Sequence, residues 1–524
     1  MKDFFVPGER DWGRIFGVAW LLVVAALSYW FVYQRGQDQN WDLLNYHYYA
    51  GYFLLHGRFD KDIAAAGLQG FLNPVANVLS YFALSSFRFP KSAWFILSVQ
   101  LLSLPLLMLI TRKIARDLGY LRFGWSEFLA LSLGVIAPLW WSELGTTFFS
   151  STTTPLVFLG LYLGLRFFEK ETGVSVLISS GVFFGISVGL KMTNLPFAIG
   201  FWVALTIVSV GLEVSRVSAR LTAFGGGLFL GFLATAWWNL YLLYQWKSPV
   251  FPLYNTIFRS PYYEATNYQD PRWRFGSMWE FFRFIVESSL GTSKTSEVAF
   301  SDPRLAVALV MLIAIIFARR KFPIGKEASV FSFFFLISFA IWSLMFAYQR
   351  YIIPLELLFG PLILVWASQL TSNRVRVAQI LAGCVILAVA LVRVPDWGHL
   401  RNPMDLPNSF DLRLPEKISS TPANYLVYGV PNSFILPFLH KDSNFYKIDF
   451  SGKTEGMIRD RIRRESQYPL RILTNQSVAS SIPERLSRFG YVPSQTNLDC
   501  SSFESGSDRF VVCEVTSAIQ AGRN

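Results

Sequence analysis

Nineteen consecutive residues, Ile15 to Tyr33, carry no charge, and apolar runs of similar length recur along most of the chain. In hydrocarbon every backbone N–H and C=O must find its partner within the segment, so such a run is read as a membrane-crossing helix. Runs of roughly 17 to 22 residues place spans at 12–33, 92–111, 126–142, 155–169, 174–190, 195–213, 221–245, 303–318, 328–347, 351–370 and 376–394. With 52% of its 524 residues apolar and only 16% charged, the chain carries too much apolar surface for a water-soluble globule. The expected fold class is an α-helical polytopic membrane protein with about eleven transmembrane helices. No small-residue cleavage site separates the first span from the polar Gln34-Arg35-Gly36-Gln37, so that span is read as retained.

The net charge is +12, and its location decides its meaning. From Pro395 onward there are 15 Lys+Arg and 14 Asp+Glu, a net of +1, which leaves +11 in the membrane part. That excess sits in short loops between spans, the signature of cytoplasmic anchoring rather than of a nucleic-acid groove, so no nucleic-acid partner is expected. Arg112, Lys113 and Arg116; Arg166 and Lys170; Arg216 and Arg220; Arg319, Arg320, Lys321 and Lys326; and Arg374 and Arg376 all fall on one side when the spans alternate. By the positive-inside rule that side is the cytoplasm, together with the N-terminus. The expected location is a bacterial inner (cytoplasmic) membrane, with the C-terminal region periplasmic.

Three regions then lie on the outer side. The first, within 40–90, holds two surface helices: the aromatic-rich amphipathic run Trp41 to Leu55, and a short one over 74–88. The second is a loop at 246–302 rich in Pro, Tyr and Trp. The third is everything from 395 to 524, where short β-like runs (Tyr425 to Tyr428, Arg471 to Leu473, Phe510 to Val512) alternate with helical stretches at 454–465 and 483–489. This reads as a small C-terminal α/β domain, while 1–394 forms the transmembrane domain. Cys500 and Cys513 flank a Ser/Gly-rich turn, leaving a disulfide and two free thiols equally open, and Cys384 reads as a small core residue. No CxxC, His-x-Glu or Walker spacing occurs, so neither a metal nor a cofactor is expected.

Ionisable residues on the outer side are few. Asp38, Asp42, His47 and His56 occupy the first outer loop, Glu143 ends the third span, Lys191 ends the fifth, and Arg350 joins the ninth and tenth. Anchoring does not account for Lys191 and Arg350, because outer ends are otherwise poor in cations. Two cations and several carboxylates at one membrane face suit an anionic lipid phosphate and a hydroxyl acceptor. A carboxylate would take the acceptor proton while the cations stabilise charge on the departing phosphate. Asp42 is the first candidate base, against a plain role as N-cap of the helix that follows it. Asp38 and Glu143 are further catalytic candidates. His47, His56, Lys191, Arg350 and Tyr351 are candidate substrate contacts, and Tyr254 with Asn255 in the aromatic outer loop is a candidate sugar or acceptor platform.

In pattern, these residues resemble the GT-C superfamily of integral-membrane glycosyltransferases, which use polyprenyl-phosphate-linked sugars. Members carry an acidic residue just after the first span and then an aromatic-rich surface helix ending in Gly; Asp42, Tyr46, Ala50 and Gly57 stand at that spacing. The Asn73-Pro74 start of a second surface helix and the Arg350-Tyr351 pair before a late span are also similar. The resemblance covers roughly residues 10 to 370. Two departures stand out: the second outer loop, Gly145 to Thr154, lacks the family's frequent second acid, with Glu143 the nearest, and Asp42 is followed by Leu43 where many members have Glu. The second departure speaks against metal coordination. The resemblance implies transfer of a sugar from a polyprenyl-phosphate donor to a glycan or lipid acceptor, with inversion at the anomeric carbon. The rival readings are a transporter or flippase of a lipid-linked or anionic substrate, which would place ionisable groups at mid-membrane beside repeated broken helices, and a non-catalytic assembly protein indifferent to Asp42→Asn.

Overall fold

Every apolar run folds as helix in the computed structural model, which describes residues 12–517 apart from 170–171, 268–269, 320, 402, 451–452, 494–499 and 507. Lys170 and Arg320 of the basic clusters therefore lie outside the described residues. The chain opens with α1 (Trp12–Arg35) and the two-residue strand β1 (Gln37–Asp38). A π-helical turn (Leu43–His47) then runs into α2 (Tyr48–Leu55), and α3 (Val75–Ser86) follows. Next come α4 (Lys91–Gln100), α5 (Ser103–Asp117), α6 (Trp125–Val135), α7 (Pro138–Glu143), α8 (Phe149–Arg166), α9 (Ser175–Leu190) and α10 (Leu195–Val208). They are followed by α11 (Val214–Leu233), α12 (Trp237–Trp246), the one-turn α13 (Asn255–Phe258) and α14 (Met278–Glu287). The last membrane helices are α15 (Arg304–Phe317), α16 (Lys326–Met345), α17 (Ile353–Leu370) and α18 (Arg374–Leu391).

Among the described residues five helices are individually long and apolar enough to cross a membrane: 15–35, 91–117, 326–345, 349–370 and 374–391. The chain is a multi-pass membrane protein. The bent pair α11 and α12 passes the same test together, with a 61° change of direction between them. Besides the two-residue turn at Leu101-Leu102 within span 92–111, two of the expected spans are not continuous. Span 221–245 bends between Leu233 and Trp237, and span 126–142 breaks at Ile136-Ala137.

The second break is held by ions. A helix end leaves its last carbonyls and first N–H groups without intrahelical partners. Here Arg304 Nη1 donates to the carbonyls of Leu133 and Gly134 at 3.0 and 3.1 Å, and Glu356 accepts from the N–H of Leu139 and Trp140 at 3.2 and 2.9 Å. Asp302 grips the other side of Arg304, with 2.8 Å to Nε and 2.7 Å to Nη2.

The basic loops meet at one end of the bundle. Lys113 lies 2.7 Å from Glu169 and 3.1 Å from Glu327, Arg112 pairs with Glu127, Arg374 donates to the Gly119 carbonyl at 2.7 Å, and Arg220 lies over the Phe167 ring. The surface helices and the tail occupy the opposite end. β1 pairs antiparallel with β2 (His399–Leu400) in the register Gln37↔Leu400 and Asp38↔His399. Gly36 permits this approach, because a Cβ there would stand 2.2 Å from the Leu400 carbonyl oxygen and its φ is +95°.

The tail is an α/β domain. After α19 (Glu416–Ser419) come β3 (Asn424–Tyr428), β4 (Asn444–Lys447), α20 (Lys453–Arg464), β5 (Leu470–Asn475), α21 (Ile482–Phe489), β6 (Tyr491–Pro493), β7 (Cys500–Ser505) and β8 (Asp508–Ser517). β3 runs parallel to β4 and β5, and β8 runs antiparallel to β5, β6 and β7, giving the order β4-β3-β5-β8-β6 with β7 also on β8. Cys500 and Cys513 are directly opposite in this register and form a disulfide. The first loop carries the domain: buried Arg58 donates to the Lys441 carbonyl at 3.0 Å, and Asp62 accepts from the Phe445 N–H at 3.0 Å.

Candidate functional site

Asp42 has helical backbone angles and its side chain caps nothing. The N-terminus of the surface helix is capped by Asn40, whose Oδ1 accepts from the Leu43 N–H at 2.8 Å. That frees the Asp42 carboxylate to face the late spans, where one of its oxygens accepts from both terminal nitrogens of Arg350 at 3.3 Å. The Tyr46 hydroxyl also lies against Asp42; burial first, and that negative charge second, hold its pKa well above the ordinary phenol value. The helix starts in π geometry over Leu43–His47, a form that recurs at functional positions.

Arg350 is set in an aromatic cage. Its guanidinium carbon lies 3.8 Å from the Phe148 ring centroid and 4.9 Å from those of Tyr348 and Trp397. Nε donates to the Tyr348 hydroxyl at 2.9 Å, Tyr348 in turn donates to Glu297, and a Glu297 oxygen stands 4.0 Å from Arg350. The cage draws on four separate stretches: the loop before α8, the end of the 246–302 loop, the turn before α17, and the strand-forming link into the tail. Trp397 is fixed by its indole N–H, which donates to Ser142 at 2.9 Å. Burial pushes the Glu297 carboxyl upward, with Arg350 opposing.

Lys191 lies in the turn between α9 and α10, where its ammonium donates to Ser150 Oγ at 2.6 Å and sits 5.1 Å from the Tyr351 ring centroid. Burial draws it down to about 8, with the Glu143 charge acting in the other direction. Tyr351 packs edge-on against Tyr348, which links the Lys191 and Arg350 environments. Glu143 is fully buried at the end of α7; one oxygen accepts from the Ser151 N–H at 2.8 Å and the other has no partner. The loop that follows is drawn tight under α1: Gly145 has φ +70°, and a Cβ there would stand 2.6 Å from Val32 Cγ1.

The other candidates separate cleanly. Asp38 is buried, and its carboxylate accepts from Asn40 N and Nδ2 and from Thr147 N and Oγ1 at 2.7–3.1 Å, so it joins the two loops instead of facing a cavity. His47 meets Thr147 Oγ1 at 3.1 Å, and burial lowers its pKa to about 3, which keeps the ring uncharged. His56 stands 14 residues beyond Asp42, about 20 Å along the helix axis, bonded to the Tyr81 hydroxyl at 3.1 Å. The structure does not bring it to Asp42. Asn255 spends its amide on its own loop, donating to the carbonyls of Ser260, Tyr263 and Glu264 and accepting from Ser260 N. Tyr254 is exposed beside it. Their part of the loop packs against the first outer loop, through Phe251 on Phe71, and against the tail, through Tyr263 on Phe450 and Thr454 donating to the Tyr262 carbonyl; it is the far end of the loop that reaches Arg350.

Among the described residues no group of three His, Cys, Asp or Glu side chains is placed to hold a metal ion. Phe148, Trp397, Tyr348 and Glu297 are part of the site and escaped the sequence reading. Tyr348 had a signal, its place two residues before Arg350; Phe148, Glu297 and Trp397 had none, since only tertiary folding brings them together.

No protein-family model matches the chain, and no curated protein matches it. Solved structures do. ArnT from Cupriavidus metallidurans in the apo state aligns with a TM-score of 0.55 at 13% identity, over 96% of this chain and 98% of that one. The same protein bound to undecaprenyl phosphate aligns with a TM-score of 0.54 at 13% identity, over 95% and 97%. At such identity the likeness speaks for the fold alone: from the first span through the tail domain the chain shares the fold of ArnT.

Proposed function

We propose that this chain is a membrane glycosyltransferase that moves a sugar from a polyprenyl phosphate to a hydroxyl of a glycan or lipid acceptor, on the periplasmic face of a bacterial inner membrane. The observation that carries the reading is the convergence of Asp42, Arg350 and Lys191, far apart in sequence, at the end of the bundle covered by the tail. Group transfer from a lipid phosphate needs that pairing of carboxylate and fixed cations. The ArnT fold supports it, and one ArnT structure holds undecaprenyl phosphate.

In this reading Asp42 accepts the proton of the acceptor hydroxyl as its oxygen attacks the anomeric carbon from the side opposite the phosphate. The bond from that carbon to the phosphate oxygen breaks, its electron pair leaves with the polyprenyl phosphate, and the anomeric configuration inverts. Arg350 and Lys191 stabilise the leaving phosphate. The long contact between Arg350 and a single Asp42 oxygen is the resting arrangement: phosphate oxygens are better placed acceptors for the guanidinium, and their arrival frees the carboxylate. Glu143, buried near Lys191, keeps that ammonium charged and positioned.

The test is incubation of purified protein with polyprenyl-phosphate sugars and candidate acceptors, wild type beside Asp42→Asn. Transfer by the wild type that the variant loses supports the reading. Equal transfer by both removes Asp42 from the chemistry, and no transfer by the wild type across sugars and acceptors removes the reaction.

A further inference from the structure

α14 faces three media. At about 100° per residue, Met278, Phe282, Val286 and Trp279 fall within one arc of about 100°, and all are exposed, Trp279 at 76%. Glu280, Arg283 and Glu287 occupy a second, narrower arc, with Arg283 paired to Glu287 at 2.6 Å. Phe281, Phe284 and Ile285 make the third, packed on the protein through Phe275 and through Phe339 of α16. A helix at a water-soluble surface needs only two faces, one for protein and one for water. An apolar face left over beside a charged one is the pattern of a helix lying in a lipid–water interface.

Its depth is set by neighbours. Ser288, just past the helix, exchanges hydrogen bonds with Asp302, whose N–H donates to the Ser288 carbonyl at 2.6 Å, and Asp302 stands two residues before α15 begins. The end of α14 is therefore tied to the point where a membrane helix enters the bilayer. Exposed apolar side chains also follow along the chain: Leu290 in the next turn, and Val310 and Ile313 on α15.

The same segment reaches the site. Glu280 holds Lys294 at 2.7 Å, and the next residue, Thr295, accepts from the Gln349 N–H at 2.7 Å, one position before Arg350. We propose that α14 is an in-plane membrane helix, its Met278-Trp279-Phe282-Val286 face sunk in the lipid leaflet, which seats the Glu297 wall of the Arg350 cage at headgroup level. Resting on the function proposed above, it also lets a polyprenyl phosphate reach Arg350 without leaving the leaflet.

The test uses the full chain in lipid nanodiscs of phosphatidylethanolamine and phosphatidylglycerol, with Cys384→Ser and single spin-labelled cysteines at Trp279→Cys, Phe282→Cys, Val286→Cys, Arg283→Cys or Glu287→Cys. Collision with oxygen should exceed collision with a water-soluble nickel chelate several-fold at the first three positions, with the order reversed at the last two. Nickel access to both sets overturns the proposal by leaving the face in water, and protection of the first three from both reagents overturns it by covering them with protein. Neither readout needs activity, so this failure is distinct from failure of the transferase reading. If transfer is observed, the double variant Trp279→Ser, Phe282→Ser should raise KM several-fold for a long-chain donor in the bilayer while leaving a short, water-soluble donor unaffected. An equal rise for both donors assigns the effect to the site and overturns the lipid-seating role.

Discussion

Two of the buried arginines that face carboxylates, Arg304 and Arg350, are used in opposite ways. Arg304 is saturated: two charge-assisted bonds to Asp302, three carbonyls on Nη1, and Glu356 at 3.5 Å. Arg350 has one good neutral acceptor in Tyr348, a shared 3.3 Å contact with one Asp42 oxygen, Glu297 at 4.0 Å, and aromatic rings over its faces. Both guanidiniums are out of bulk water, so both needed compensation. The first receives it from backbone at a helix break and acts as a structural bolt. The second receives much of it from ring faces, which leave hydrogens in the guanidinium plane for a stronger acceptor. Burial of an ion pair does not by itself mark a functional site; unspent bonding capacity does. For the same reason the Arg304 cluster offers little to the transporter reading, since its arginine has no capacity left for a cargo.

Asp42→Asn is the sharpest way to break this contrast. The amide keeps an oxygen for Arg350 but cannot take a proton, so kcat should fall by roughly 10²–10⁴-fold while the melting temperature in detergent stays put. A variant that instead melts early makes Asp42 a second bolt. Arg304→Met is the converse. It leaves Asp302 and Glu356 buried without their cation, and the cost is about 3–5 kcal/mol of stability, read as a lowered melting temperature or loss of folded protein. A normally stable variant that loses only transfer would erase the distinction between the clusters.

How far the sequence reached follows the same line. The apolar runs, the basic loops and the alternating segments of the tail are local patterns, repeated often enough to show through, and the helices, the basic end and the α/β domain stand where those patterns put them. Asp42, Lys191 and Arg350 drew notice because charge is rare at that end of the spans, and the structure brings the three side chains together. The break at Ile136-Ala137 was not, because what holds it lies more than 160 residues away in Arg304 and Glu356. Asn255 and His56 drew notice by residue type alone, and their partners turned out to be their own loop and a neighbouring tyrosine. Trp397 sits beside Arg350 in a link whose strand β2 pairs with β1, at the opposite end of the membrane domain's sequence, and its indole is held by Ser142.

A smaller effect sharpens the comparison at Arg350 itself. Lys at this position keeps the charge but loses the planar fork and its packing against the Phe148 and Trp397 rings. Arg350→Lys should raise KM for the lipid-phosphate donor about tenfold, equivalent to roughly 1.4 kcal/mol, with kcat less affected. An unchanged KM would mean that the cage holds the arginine for structure alone.

The smallest effect concerns Lys191, whose ammonium burial draws down to about 8 from an ordinary 10.5. Between those values the unfolded chain binds the proton more readily than the folded one, so this residue's contribution to stability rises with pH across the window. Donor binding should run the other way. The phosphate is held by the charged form, so KM should climb as pH passes about 8, reaching roughly four times its low-pH value near pH 8.5. Lys191→Arg stays charged throughout and should flatten that profile. Donor KM measured for both proteins from about pH 7 to 9 separates the cases: a flat wild-type profile shared by the variant would take Lys191 off the phosphate and leave Arg350 as the single cation of the loose cluster.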